Sequence, residues 1–480
     1  MSTPTLVGIA VSGIIIFILP FLIPFNYRLW LAVLLSVPQL YLFKIGDFYP
    51  SVALILALSL WPETLKSIKY TLRFSPIIFI ICLMLIHAVS ILWSSDVRLC
   101  IRTLVYMLPF ITISISIYTL AQNRKNYDQV ITLLSLLTLL ISVHAMIIIL
   151  FRISPHIEGK FLNSKMALFF INPNTLMELG NVIEGNYVLT SLKRGGFFVN
   201  RNVACVYMGM GGIVSWAISR IKYSKFMYLI SIISMLAVFF GGSKAGMLII
   251  FLTNILIFIF WILFRNNIKL RDMLSFLLLC MISYSLYLGY SINRDLRLNI
   301  NMSVPEEAIC VNKSVPNQVI KINDFLNRVK TTTNVRIKIW KYGFEAFFEN
   351  PIKGQGFGGW KKGFSKYANK AGLDPDFPPH NTLIYLWSQS GLFAVIFGIC
   401  FMCSILYYAA KLALNNDRKI SLLAIGFGFS SLWLFVQGMG TNYGIVGEQH
   451  QVVLLGFMVG LMCAFICRSD ANEAEKNNNL

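Results

Sequence analysis

His380 is the only histidine of residues 292–380. It closes the segment Asp376-Phe377-Pro378-Pro379-His380-Asn381, directly before an apolar run. The prolines pin the approach, and the helix start that follows orients the ring. An imidazole held there suits removal of a proton from a hydroxyl. The competing reading is a histidine that caps a helix at a membrane interface. Cations are the second ingredient. Arg336 stands one helical turn before Trp340, and Trp340, Phe344, Phe347 and Phe348 recur at helical spacing. The pattern predicts an amphipathic helix suited to a bilayer surface, starting near Val335 and ended by Asn350 and Pro351. Arg194 and Arg201 flank a short stretch ahead of a second helix start. Lys244 follows Gly241-Gly242-Ser243 at a third, with Ser243 as its cap. Positive side chains beside helix N-termini make anion sites, because the free N–H groups and the dipole point there. Read blandly, each is a cation anchored at the interface.

Other candidates carry less. Gly354-Gln355-Gly356-Phe357-Gly358-Gly359 is a flexible turn whose glycines would let backbone approach a ligand; no strand precedes it, so it is not a nucleotide site. Asp374 and Asp376 are split by Pro375 in a turn and read as solvated acids, not as the carboxylate pair of a glycosidase. No cluster outside the apolar runs has metal-ligand spacing, so neither a metal nor another cofactor is expected.

The elements that hold these residues are membrane helices. The chain is 56% hydrophobic and 13% charged, against about 45–50% and about 25% in soluble domains. Apolar runs near the spanning length of about 20 residues recur at 74–94, 101–121, 127–151, 202–219, 224–241, 244–264, 273–291, 381–410, 420–440 and 449–467. Residues 5–62 hold two or three more, blurred by Pro20, Pro24 and Pro38. The fold class is therefore all-α and polytopic, with twelve or thirteen helices and no cleavable leader. Four parts follow: membrane helices over 1–291, a long loop over 292–380 that is irregular up to 335, three membrane helices over 381–467, and a tail over 468–480. Lysine and arginine collect in alternate loops: Lys66 to Arg73, Arg124 and Lys125, Arg220 to Lys225, Arg265 to Arg271, and Lys411 to Lys419. The positive-inside rule makes those loops and the tail cytoplasmic. The loops 95–100, 152–200, 241–244, 292–380 and 441–448 then face outwards.

The net charge of +20 is explained largely by basic loops held against anionic membrane lipids. Residues 292–380 still contain fourteen Lys/Arg against eight Asp/Glu. Long loops escape the orientation rule, so this excess points to an anionic substrate such as a lipid-linked phosphate. No nucleic-acid module accompanies it, and nucleic acid is not an expected partner. Cys100 and Cys310 are the cysteines outside the apolar runs and are candidates for a disulfide. His87 and His144 are the ionisable groups deep inside clear spans, each a proton relay or a hydrogen-bonded packing residue. Buried acids and broken midplane helices mark many transporters; their absence from the pattern favours an enzyme at the outer surface.

Together the motifs Arg336-x-x-x-Trp340, Pro351-x-x-Gly354-x-Gly356, His380-Asn381 and Gly391 resemble the O-antigen ligase and polymerase superfamily of integral-membrane glycosyltransferases. Asn200-Arg201-Asn202 and Ser243-Lys244-Ala245-Gly246 resemble two further family positions, with Arg201 where the family shows proline and Lys244 where it shows arginine. Lysine keeps the charge but loses the planar fork that grips phosphate twice. The resemblance implies a multi-pass protein of a bacterial inner membrane with a periplasmic active site. It implies transfer of a glycan from undecaprenyl pyrophosphate to an acceptor hydroxyl, without metal or nucleotide. By position, Arg336 would bind the pyrophosphate and His380 would act at the acceptor hydroxyl. Lys244, Arg194, Arg201 and Trp340 would help to hold substrate. Lipid A–core is the expected acceptor; a growing O-antigen or a protein hydroxyl uses the same donor, and a lipid-glycan transporter is the alternative from another class.

Overall fold

A computed structural model describes residues 18–36, 50–151, 164, 181–183, 186–188, 201–263, 269–301, 322–357, 359–373, 379–415, 417–439 and 449–478. Its helices are α1 (Phe25–Leu34), α2 (Val52–Ser59), α3 (Trp61–Thr71), α4 (Ser75–Val89), α5 (Val97–Ala121), α6 (Arg124–Phe151), α7 (Arg201–Lys222), α8 (Lys225–Phe240), α9 (Lys244–Leu263), α10 (Leu270–Asn301), α11 (Ile322–Phe348), α12 (Trp360–Ala371), α13 (Thr382–Ala413), α14 (Arg418–Gly438) and α15 (Gln449–Asn478). One short hairpin, β1 (Asn181–Ile183) with β2 (Asn186–Val188), interrupts the helical pattern in the loop before α7.

All ten clear apolar runs fall on helices, as they must if each segment bonds its own backbone in lipid. Among the described residues, eight helices are long and apolar enough to cross a membrane. Lys225–Phe240 and Ala245–Ile259 are shorter apolar helices. The expectation of twelve or thirteen spans also counts residues 5–62, much of which lies outside the described residues. The long loop departs from expectation. Residues 292–335 read as irregular, yet α10 continues to Asn301 and α11 begins at Ile322. Ile322, Phe325, Leu326 and Val329 do follow helical spacing; the lysines, threonines and asparagines among them hide it.

Side-chain bonds sort the helix ends onto two faces. Asp272, buried at the start of α10, accepts from Arg220 Nε at 2.9 Å and from Arg418 Nη2 at 2.7 Å, joining the end of α7 to the start of α14. Lys222 pairs with Asp128 near the start of α6 at 3.0 Å. The Arg468 guanidinium lies 4.7 Å from the centre of the Tyr127 ring. Arg73 reaches Tyr118 and Cys467. The basic clusters thus share one face. On the other face Asn202, Ser243, Asn381 and Gln437 meet, as described below. A buried carboxylate such as Asp272 is tolerable because two arginines compensate it; removing one would strand a buried charge at a cost of about 3–5 kcal/mol.

Orientation is testable with cysteines introduced at Ser365 in α12 and at Asn415 between α13 and α14. A membrane-impermeant maleimide added to intact cells should label Ser365→Cys and spare Asn415→Cys. Labelling of Asn415→Cys alone would reverse the orientation and move the basic face outside.

Candidate active site

The site is organised by a break in α13. Ser390 (φ −134°, ψ 16°) and Gly391 (φ 79°, ψ −168°) leave helical geometry in the middle of the helix. In an intact helix the Leu392 N–H would donate to the Ser388 carbonyl. Both groups find other partners here. Leu392 N donates to Pro351 O at 3.0 Å, and Ser388 O accepts from Gln355 N at 2.8 Å. The Trp387 indole adds a bond to Pro351 O at 2.9 Å. Residues 351–355 therefore complete the broken ladder. Gly354 (φ 66°) packs so closely that a Cβ would lie 2.7 Å from Gly391 N, and a Cβ on Gly391 would lie 1.8 Å from Ile352 O. The glycines of this turn were expected to admit a ligand; Gly354 admits the backbone of α13, and Gly356 that of Trp93 and Ser94.

The first half of α13, Thr382 to Gln389, directly follows the predicted histidine. Asn381 caps it, accepting from Leu383 N at 3.0 Å and Ile384 N at 3.1 Å. The end of α14 grips the same turn: Thr382 Oγ1 donates to Gly438 O at 3.0 Å and Asn381 Nδ2 to Met439 O at 3.4 Å. His380 sits outside the cap at φ 50°, the left-handed region that non-glycine residues rarely occupy. Such strain persists where neighbours over-determine it, and they do here. The Trp340 indole donates to Pro379 O at 2.7 Å, one residue before His380. Ile339, Ala346 and Phe347 of α11 form a buried cluster with Trp360, Phe364 and Ala368 of α12 and with Ile384 of α13. The α11–α12 pair is thereby docked on the first turn of α13.

Arg336 lies one turn before Trp340 and shares its face, so the anchor that holds Pro379 also brings Arg336 to His380. The two feel each other electrostatically. Burial first, and the Arg336 charge second, push the His380 imidazole down to about 4. Burial likewise draws the Arg336 guanidinium below its ordinary value, though it stays charged at any working pH. Among the described residues, no side chain hydrogen-bonds or ion-pairs with Arg336.

Two more helix starts join this face. Ser243 Oγ caps α9, accepting from Gly246 N at 3.3 Å, and donates to Asn202 Oδ1 at 2.8 Å. Arg201 and Lys244 are the first residues of α7 and α9, so this bond ties their two helix starts together. Gln437 Nε2 donates to Asn202 O at 2.5 Å, with Gln437 held by Trp433 Nε1 at 2.8 Å. Consecutive residues of α14, Gln437 and Gly438, thus clasp the starts of α7 and α13. The N-termini of α7, α9 and α13 converge, each with the positive end of its dipole towards the same region. Arg194 lies outside the described residues. Cys100 carries a free, buried thiol that donates to His87 O at 3.5 Å, and Cys310 lies outside the described residues. Gln437 and the break at Ser388–Leu392 were missed from sequence, and Asn202 was singled out without its partners Ser243 and Gln437, since single polar residues at helix ends reveal no partners.

Residues 229–399 match the family model described as O-antigen ligase. The match covers about a third of the chain and supports a likeness to the O-antigen ligase and polymerase superfamily. The matched segment holds Lys244, Arg336, Trp340, the turn at 351–356, His380 and Gly391, and leaves out Arg194 and Arg201. No curated protein matches the chain. O-antigen ligase and polymerase chemistry needs a lipid-linked glycan and an acceptor, and Arg336 with the helix N-termini of this face suits an anionic group.

Gly391→Ala tests the break. The left-handed φ alone costs an L-residue about 1–3 kcal/mol, and the Cβ would overlap Ile352 O. Monodisperse, folded protein should be largely lost. Gly289→Ala, where a Cβ meets nothing within 4 Å, should be recovered at wild-type yield. Equal yields from both would mean that the break is not required.

Proposed function

We propose that this protein transfers a glycan from undecaprenyl pyrophosphate to a hydroxyl of lipid A–core at the periplasmic face of the inner membrane. The observation that carries the reading is the placement of Arg336 beside His380 by the Trp340–Pro379 bond. In this reading the acceptor oxygen attacks the anomeric carbon, and the bond from that carbon to the pyrophosphate oxygen breaks. The acceptor proton passes to the imidazole of His380. The pyrophosphate leaves with the electron pair and needs cations more than an acid. Arg336 supplies one charge, and Arg201 and Lys244 stand at helix starts that supply the dipoles. Trp340 holds the approach to His380.

The depressed imidazole fits the same division of labour. Burial first, and the Arg336 charge second, hold His380 neutral, and an arriving pyrophosphate offsets the Arg336 part. His380 then gains basicity when the donor is in place. The reading takes lipid A–core as the acceptor; polymerisation and protein glycosylation would use the same donor. A deletion strain separates them on a lipopolysaccharide gel. Core without O-chains, with lipid-linked polymer accumulating, supports ligation. Core bearing a single repeat would make the protein a polymerase.

The site assignment is tested by transfer in vitro, normalised to folded protein, with donor binding measured separately. Arg336→Ala should weaken donor binding by about tenfold to over a hundredfold, corresponding to about 1.5–3 kcal/mol for a charged hydrogen-bond partner. Arg336→Lys should also be impaired, through loss of the planar fork. His380→Ala should lower turnover by about 10²–10⁴-fold with donor binding little changed. Activity requires neutral His380 and falls as pH drops through its pKa. Removing the Arg336 charge raises that pKa, so in Arg336→Gln the acid limb should move to higher pH. Full activity in both alanine variants would end the assignment, and an unmoved acid limb would separate Arg336 from His380.

A further inference from the structure

His87 of α4 is fully buried and lies against the break in α13. Its Nδ1 is 2.6 Å from Ser390 Oγ, whereas its Nε2 is buried without a hydrogen-bond partner among the described residues. The surrounding hydroxyls assign the proton. Ser90 Oγ donates to His87 O at 2.7 Å and accepts from Phe357 N at 3.2 Å. Ser390 Oγ donates to Ser90 Oγ at 3.2 Å, which leaves it free to accept. The hydrogen bond from the ring is therefore Nδ1–H to Ser390 Oγ, with a bare Nε2 turned into apolar surroundings. Phe357 meets the imidazole edge-on at 4.6 Å between ring centres. The turn after α4 holds the rest of the clasp: Trp93 Nε1 donates to Lys353 O at 3.0 Å and Ser94 Oγ to Phe357 O at 2.6 Å.

The half-helix Thr382–Gln389 is thus fixed at two ends. Its start is gripped by Gly438 and Met439, and its far end by His87 through Ser390. His380 projects from the gripped start, about two helical turns from the break. A bare Nε2 that nothing satisfies is poor design for a proton relay, which needs a partner on each nitrogen, but costs little for a ring used through Nδ1 alone.

We propose that His87 is a positioning residue for glycan transfer: its Nδ1–H···Ser390 bond sets the direction of the half-helix that presents His380. The inference rests on the transfer reading above. Misplacing a reacting group by about 1 Å costs about 10²-fold in rate. Donor binding depends mainly on Arg336, which is carried by α11 and not by the half-helix.

The test compares His87→Ala, His87→Asn, His87→Gln, Ser390→Ala and His380→Ala for kcat and donor KM per folded protein. The amide nitrogen of asparagine falls near Nδ1 and that of glutamine near Nε2. His87→Ala and Ser390→Ala should lower kcat by about ten- to a hundredfold and leave donor KM little changed. His87→Asn should recover most of the loss, and His87→Gln should not. Unchanged kcat in His87→Ala and Ser390→Ala would overturn the proposal, as would rescue by glutamine instead of asparagine. A rise in donor KM in step with the fall in kcat would overturn it too, placing His87 on the donor side. If His87→Ala does not fold, the asparagine and serine variants decide. Full activity in His380→Ala would instead remove the transfer reading itself, and shows separately from every His87 result.

Discussion

The structure depends on one pair of backbone groups, Leu392 N–H and Ser388 C=O, that α13 cannot satisfy within itself. In a membrane an unsatisfied group of this kind costs several kcal/mol. The chain meets that demand from outside the helix, with Pro351 O and Gln355 N. Everything on the outer face follows from the bargain. A segment that must bond to α13 in the lipid region draws α11 and α12 down with it. Once they are there, Trp340 can reach Pro379, and Arg336 stands beside His380. The site is a by-product of closing a broken hydrogen-bond ladder, and its geometry is as rigid as that closure.

The opposite face uses different physics for a similar end. Asp272 collects Arg220 and Arg418 from two other helices, and the surplus basic residues around it remain for anionic lipid. Charge binds the helix ends there, whereas dipoles and hydroxyls bind them on the outer face. The contrast suits the roles assigned. An outer face already neutralised by carboxylates would have no cationic potential left for a pyrophosphate. Gln437, Gly438 and Ser243 hold the helix starts together with neutral groups and leave the positive charge of the site unspent.

Much of this was legible in the residues. Long apolar runs can only be helices in lipid, and ten of them fell on helices. That Arg336 and His380 belong to one site was implied by the family resemblance, although the linking bond from Trp340 to Pro379 was not legible, since a carbonyl has no signature in sequence. Pro351 was read as a helix end, as it is, whereas Gly354 and Gly356 were read as admitting a ligand. Glycine records that something comes close, not what, and here it is backbone. The helix over 322–334 was overlooked because its apolar residues are sparse among polar ones. Asp272 was passed over as one acid in a basic loop; its burial arises from two arginines 52 and 146 positions away. His87 was noticed for its burial, but only the fold shows that it faces Ser390.

The most direct test of the central claim reads those backbone bonds themselves. Hydrogen exchange of the protein in nanodiscs should find Gln355 and Leu392 amides protected to the degree of the spanning helices, although residues 351–357 have the composition of an open glycine loop. Slow exchange in peptides covering 352–357 is the expected result. Exchange there at the rate of an unstructured loop, with α13 itself protected, would show that the turn does not complete the helix, and the account of how Arg336 and His380 come together would fail.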